Sequence, residues 1–141
     1  MLEYVAVASP VHPPRPNDEG RITSGTSLLL FDQADIHTQR IGELLGPMIS
    51  IKQRHYLPDW YALLSAAVAG VGYAVMPRRL VQDFIVSGKL ITVIESAELF
   101  IPLYLHYWRL KSTRLDKLIG IARKVAAQKM LPPASQRNGV I

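Results

Sequence analysis

At 141 residues, with 49% hydrophobic side chains, the chain is long enough to bury a core and too apolar for a disordered segment. It has no cysteine, which excludes a disulfide framework, a thiolate metal site and a cysteine nucleophile. The net charge of +5 is uneven: residues 1–108 hold eight Lys/Arg against ten Asp/Glu, and residues 109–141 hold eight against one, Asp116. The late basic excess reads as the solvent face of an amphipathic helix plus a basic tail, since no aromatics interleave with those charges to stack bases. No apolar run approaches the roughly 18–20 residues that span a bilayer. The opening MLEYVAVASP carries an early acid and no basic n-region, so it does not read as a signal peptide. A soluble, cytoplasmic protein is expected.

Glu3–Ala8 alternates as a strand and is ended by Ser9-Pro10. Residues 10–27, rich in Pro, Gly, Ser and Thr, read as an exposed loop, and Leu28–Phe31 as a short buried parallel strand. Asp35 opens a helix to about Leu45, closed by Gly46-Pro47, and Met48–Tyr56 reads as a strand. In the stretch YLPDWYALLSAAVAGVGYAVMP, residues 56–77, Asp59 is a natural N-cap, and Leu63, Leu64, Ala67 and Val68 recur at helical spacing. Gly70 supplies a left-handed helix stop, and Gly72 is expected to let the chain turn tightly into a strand at Tyr73–Met76. That order puts a helix N-terminus at the carboxyl end of a strand, where open α/β sheets hold ligands.

Arg79–Val86 reads as a helix stopped by Ser87-Gly88, Leu90–Ile94 as extended, and Leu103–Trp108 as a strand. Thr113 to about Gln128 reads as a helix with Leu115, Leu118, Ile119, Ala122, Val125 and Ala126 as its apolar stripe. Thr113 with Asp116 suggests a capping box at its start. Strands alternating with helices over short loops imply an α/β layered architecture with a mostly parallel sheet.

Catalysis has little support. His12, His37, His55 and His106 lack metal-ligand spacing, and neither Ser27 nor Ser65 sits in a G-x-S-x-G elbow. Gly70-Val71-Gly72 precedes a strand and is too short to cradle a phosphate. No enzyme, metal or cofactor is expected.

The ordered set LEYVAVASP, LLLFDQADIHTQ (28–39), AAVAGVGYAVMPRRLV (66–81), VSGKLITV (86–93) and PLYLHYWRLKS (102–112) resembles the effector-binding domain of LysR-type transcriptional regulators. The likeness is to the ArgP/LysG branch, which senses basic amino acids, and it covers about residues 1–127. It implies a periplasmic-binding-protein-like (type 2) subdomain with a mostly parallel sheet, two crossover strands and a C-terminal helix. On that likeness residues 1–128 are a partial effector domain. The second subdomain spans about 9–101, the crossover strands about 3–8 and 103–108, and the final helix about 113–128. Residues 129–141 are expected as a disordered basic tail. The family's helix-turn-helix has no counterpart here, so no sequence-specific DNA binding by this chain is expected.

The resemblance places the effector wall at Phe31, Asp32, Asp35, Pro58, Asp59, Trp60, Gly72 and Tyr73. Asp32 and Asp35 would accept the cationic end of lysine or arginine, although helix capping also explains them. At the helix start, where such sensors usually carry small hydroxyl or amide residues, Pro58, Asp59 and Trp60 stand instead. Trp60 and Trp108 read as packing residues rather than ligand platforms. The resemblance implies the ligand-sensing part of a regulator that forms homo-oligomers. The alternative is a standalone interaction module or a non-sensing fragment that dimerises through the last helix.

Overall fold

The computed structural model describes residues 1–13, 27–34, 40, 53–93, 98–108 and 112–130. The chain divides into two compact units, one of Glu3–Leu99 and one of Met1–Leu2 with Phe100–Ile141.

The larger unit is built on a sheet of β1 (Leu2–Ala8), β2 (Ser27–Leu30), β3 (Arg54–Tyr56), β4 (Gly72–Pro77) and β5 (Ile91–Thr92) in the order β3-β2-β4-β1-β5. β6 (Glu98–Ile101) also pairs with β1. β2 runs parallel to both β3 and β4, the arrangement expected of an α/β sheet. β1 is antiparallel to β4 and β5. Two helices, α1 (Trp60–Val68) and α2 (Arg78–Val86), follow β3 and β4.

Alternation along the strands sends side chains to two apolar layers. Val5, Val7, Leu29, Ala74 and Met76 meet Leu63 and Ala67 of α1, Val81 of α2, and Leu90 in the main cluster. Ala8, Leu28, Leu30 and Tyr73 form the second. Each fully buried Leu, Val or Met contributes about 1.5–3 kcal/mol. Burial on both sides fits the continuous apolar run of β2, and it extends to β4 and to β1, which the sequence reads as alternating.

Both helices stop by one device. Gly70 (φ +79°) sends its N–H to Ala67 O at 3.1 Å, and Val71 N–H reaches Ala66 O at 3.0 Å. Gly88 (φ +73°) repeats the pattern with Ile85 O, and Lys89 N–H with Phe84 O. These are paired Schellman bonds, and they need a residue that tolerates positive φ.

Gly72 has a different role from the tight turn expected of it. It lies within β4 opposite Ser27, and a Cβ there would overlap the Ser27 carbonyl oxygen. Close approach of two backbones, not a left-handed turn, demands glycine at this position.

In the smaller unit, α3 (Thr113–Lys129) is capped by Ser112, whose hydroxyl accepts from Leu115 N–H at 3.4 Å. The expected box on Thr113 is displaced by one residue, because Ser112 is the residue held in extended backbone (φ −142°). Ile119 is buried and Leu115, Ala122 and Ala126 are half-buried, whereas Leu118, Ile121 and Val125 are exposed. The single expected stripe is thus two stripes with different surroundings. Residues 103–108, read above as a strand, are all exposed and not in a strand; β6 ends before them, at Ile101. Pro102 lacks the N–H a ladder needs at that point. Apart from Arg40, which is helical, the expected helix from Asp35 lies outside the described residues, as do most of the strand from Met48 and the tail beyond 130.

Replacing Gly72 with Ala should lower stability by about 2 kcal/mol, because the added methyl meets backbone. Gly88→Ala, with open space around it, should cost about 1 kcal/mol through its positive φ alone. Urea unfolding midpoints of the two variants would check this ordering.

Candidate functional site

Parallel pairing of β3, β2 and β4 brings their carboxyl ends to one edge. There β2 runs into Phe31-Asp32, β3 into Leu57-Pro58-Asp59, and β4 into Pro77-Arg78. Leu57 N–H donates to Leu30 O at 2.8 Å, which extends the β2–β3 pairing as far as the start of α1.

Asp59 sits at the N-cap of α1 in extended backbone, and its Oδ1 accepts from Ala62 N–H at 2.8 Å. Its carbonyl takes Leu63 N–H at 2.9 Å, and its own N–H donates to Leu57 O at 2.8 Å. Asp32 Oδ1 accepts from Ala34 N–H at 2.7 Å, closing a turn beyond β2. Both side chains are exposed. Phe31 and Trp60, each next in sequence to one of these carboxylates, stand with ring centroids 4.9 Å apart and planes tilted by 34°. Trp60 also packs against the main core, so the packing reading of this residue holds for one of its faces. On the same edge Arg78 Nε donates to Glu3 Oε1 and joins the start of α2 to the start of β1.

Five of the expected wall residues therefore follow the carboxyl ends of β2 and β3, namely Phe31, Asp32, Pro58, Asp59 and Trp60, and of these Phe31 and Trp60 are in contact. Gly72 and Tyr73 do not join them. They pair with Ser27 and Leu28 at the amino ends of the parallel strands, about 10 Å away by the rise of β2. Tyr73 is buried in the second cluster, and desolvation pushes its hydroxyl up to about 12, with Arg54 working in the opposite direction. Asp35 lies outside the described residues. The Glu3–Arg78 pair was not foreseen; its signal was a charge at the first residues of one strand and directly after the proline that closes another. Among the described residues no group of three His, Cys, Asp or Glu is placed to hold a metal ion, and no helix is long and apolar enough to cross a membrane.

The fold is a layered α/β one whose parallel strands end on a common edge, and comparison with known proteins says which kind. The LysR substrate binding domain family matches residues 2–127, so the chain belongs to that family, whose domains are not enzymes. The transcriptional regulator ArgP of Vibrio parahaemolyticus is 28% identical over 121 residues, which cover 83% of this chain and 41% of the relative. ArgP of Pseudomonas aeruginosa is also 28% identical, over 77% of this chain and 37% of its own length. The C-terminal domains of a LysR family protein from Agrobacterium tumefaciens superpose with a TM-score of 0.79 at 29% identity, over 94% of this chain and 65% of that one. Full-length LysG of Corynebacterium glutamicum shares the fold, with a TM-score of 0.73 at 20% identity over 93% and 44%. The chain thus falls in the ArgP/LysG-like branch with the periplasmic-binding-protein-like fold, and it spans about two fifths of the curated relatives it matches.

Asp59→Ala should cost about 1 kcal/mol by removing the cap, while Asp59→Asn should cost little, since asparagine caps equally well. Chemical denaturation followed by circular dichroism would separate the two. Tyr73 adds a pH dependence. A raised folded-state value means the unfolded chain releases its proton first, near pH 10, so stability should fall as pH rises from 10 toward 12. Tyr73→Phe should remove that part of the loss, read as a smaller drop in urea midpoint across the same window.

Proposed function

We propose that this chain is effector-sensing material of a LysR-type transcriptional regulator working in the cytoplasm, and that its ligand is a small organic cation of the lysine or arginine kind. The observation that carries the reading is the carboxyl edge itself, where two exposed carboxylates are each next in sequence to one ring of the Phe31–Trp60 pair. Carboxylates supply ionic acceptors for an ammonium or guanidinium, and indole and phenyl faces favour cations over anions. The relatives are named ArgP, and one LysG structure of this fold is described with bound effector Arg, which supports the same ligand class.

Mechanistically the ligand's role is a bias between conformations. A regulator changes its grip on DNA only by as much as the effector's affinity differs between two states of the oligomer. Asp32 and Asp59 lie on turns that follow strands, so a cation held between them links β2 and β3 to the start of α1 without disturbing the buried layers.

A second reading, self-association without a ligand, has its own observation. Leu118, Ile121 and Val125 form an exposed apolar row on α3, and Tyr104 and Trp108 are 76% and 83% exposed. Titration of the chain with lysine and arginine by calorimetry, beside light scattering over a concentration series, tests the two readings together. The sensing reading expects saturable binding that Asp32→Asn weakens about twofold to fivefold, as for the loss of one exposed ion pair. Concentration-dependent dimers that ignore both amino acids and the Asp32 change would favour the interaction module instead.

A further inference from the structure

We infer that Asp59 sets the specificity of the edge: it makes the start of α1 a reader of the ligand's cation and denies that place to a ligand carboxylate, so amines and guanidines lacking a carboxylate bind this chain at least as well as the corresponding amino acids. The inference rests on the sensing function proposed above and narrows its ligand class.

A helix start ordinarily attracts anions, because its unpaired N–H groups carry about half a positive charge. At α1 those groups are spoken for or shielded. Pro58 has no N–H. Asp59 N–H is bonded to Leu57 O, Ala62 N–H to the Asp59 carboxylate, and Leu63 N–H to the Asp59 carbonyl. The N–H groups of Trp60 and Tyr61 lie within the same first turn as a full negative charge, which outweighs the helix's partial positive one. A ligand carboxylate brought there would meet like charge, while an ammonium or guanidinium would meet a carboxylate with one oxygen still available.

Two further features of the edge act in the same sense. Asp32 adds a second carboxylate beyond β2. The Phe31–Trp60 pair adds aromatic faces whose quadrupoles attract cations and repel anions. Arg78, the cation that begins α2 on this edge, is already joined to Glu3. The amino acid's cationic end is therefore what these groups recognise.

Calorimetric titration of the full chain with four probes tests this. The probes are lysine, arginine, 1,5-diaminopentane (lysine without its carboxylate) and 4-aminobutylguanidine (arginine without its carboxylate). Each carboxylate-free probe should bind as tightly as its amino acid or more tightly. Asp59→Asn, which keeps the cap, should shift each affinity ratio by about threefold or more toward the amino acid, the scale of a charge at a helix start. An amino acid binding at least tenfold tighter than its carboxylate-free counterpart, with a ratio unmoved by Asp59→Asn, would overturn the specificity and leave the sensing function standing. Absence of binding by all four would overturn both.

Discussion

The parallel pairing of β2 with β4 is the constraint on which the rest of the molecule depends, because it decides which strand ends share an edge. Its register is held at one tight point, where Gly72 of β4 lies against the Ser27 carbonyl. In a sheet apolar on both sides, hydrophobicity alone sets register weakly. A slip by one residue would exchange Leu29 for Leu28 or Leu30 at little cost in transfer energy. It would also bring a side chain to the place where only a hydrogen fits. The glycine thus fixes the register, and the register carries Phe31, Asp59 and Arg78 to one side of the molecule.

At that edge the two helix starts are treated differently. α1 receives an anion, Asp59, which suits the positive end of the helix and satisfies one of its donors. α2 begins with a cation, Arg78, behind a proline that offers no side-chain cap, an arrangement unfavourable on its own. Glu3 offsets it from the neighbouring strand, at a position the pairing of Tyr4 with Pro77 makes inevitable. The pair is partly exposed, so it contributes about 1 kcal/mol at most. Its larger effect is to tie the Arg78 guanidinium to Glu3 on an edge that also carries Asp32, Asp59 and the Phe31–Trp60 rings.

Much of this was legible in the sequence because the signals were local. Asp59, Gly70 and Gly88 each announce a helix boundary through capping chemistry that does not depend on distant contacts. The apolar runs at 4–8, 28–30 and 73–76 announce buried strands in the same way. What failed to show was whatever needs a partner. The alternation at 103–108 describes side chains suited to a ladder but cannot supply the neighbouring strand, and those residues are exposed with no strand paired to them among the described residues. Ser112 and Thr113 are adjacent hydroxyls, and only the backbone conformation shows which one caps. The grouping of Gly72 and Tyr73 with the edge residues overlooked a geometric consequence of the helix: α1 leaves from the carboxyl ends of the strands and carries the chain back, so β4 must begin at the opposite edge.

The charge distribution gives the proposed ligand a further constraint. The chain is positive, with the excess confined to residues 109–141. A cationic effector therefore gains nothing from the net charge, and long-range steering would work against it. At physiological ionic strength, however, fields between exposed charges fade over about 8 Å. Recognition of such a ligand must then be a contact-range matter for Asp32, Asp59 and the ring faces beside them. Those groups are rigidly placed for it. Asp32 and Asp59 are each oriented by a backbone N–H two or three residues ahead, and Trp60 is anchored by the core beneath it. The capping bonds that compete with a ligand for these carboxylates also hold them in position. Each occupies one oxygen of its carboxylate, and the pre-set orientation lowers the ordering cost that an exposed aspartate would otherwise impose on binding.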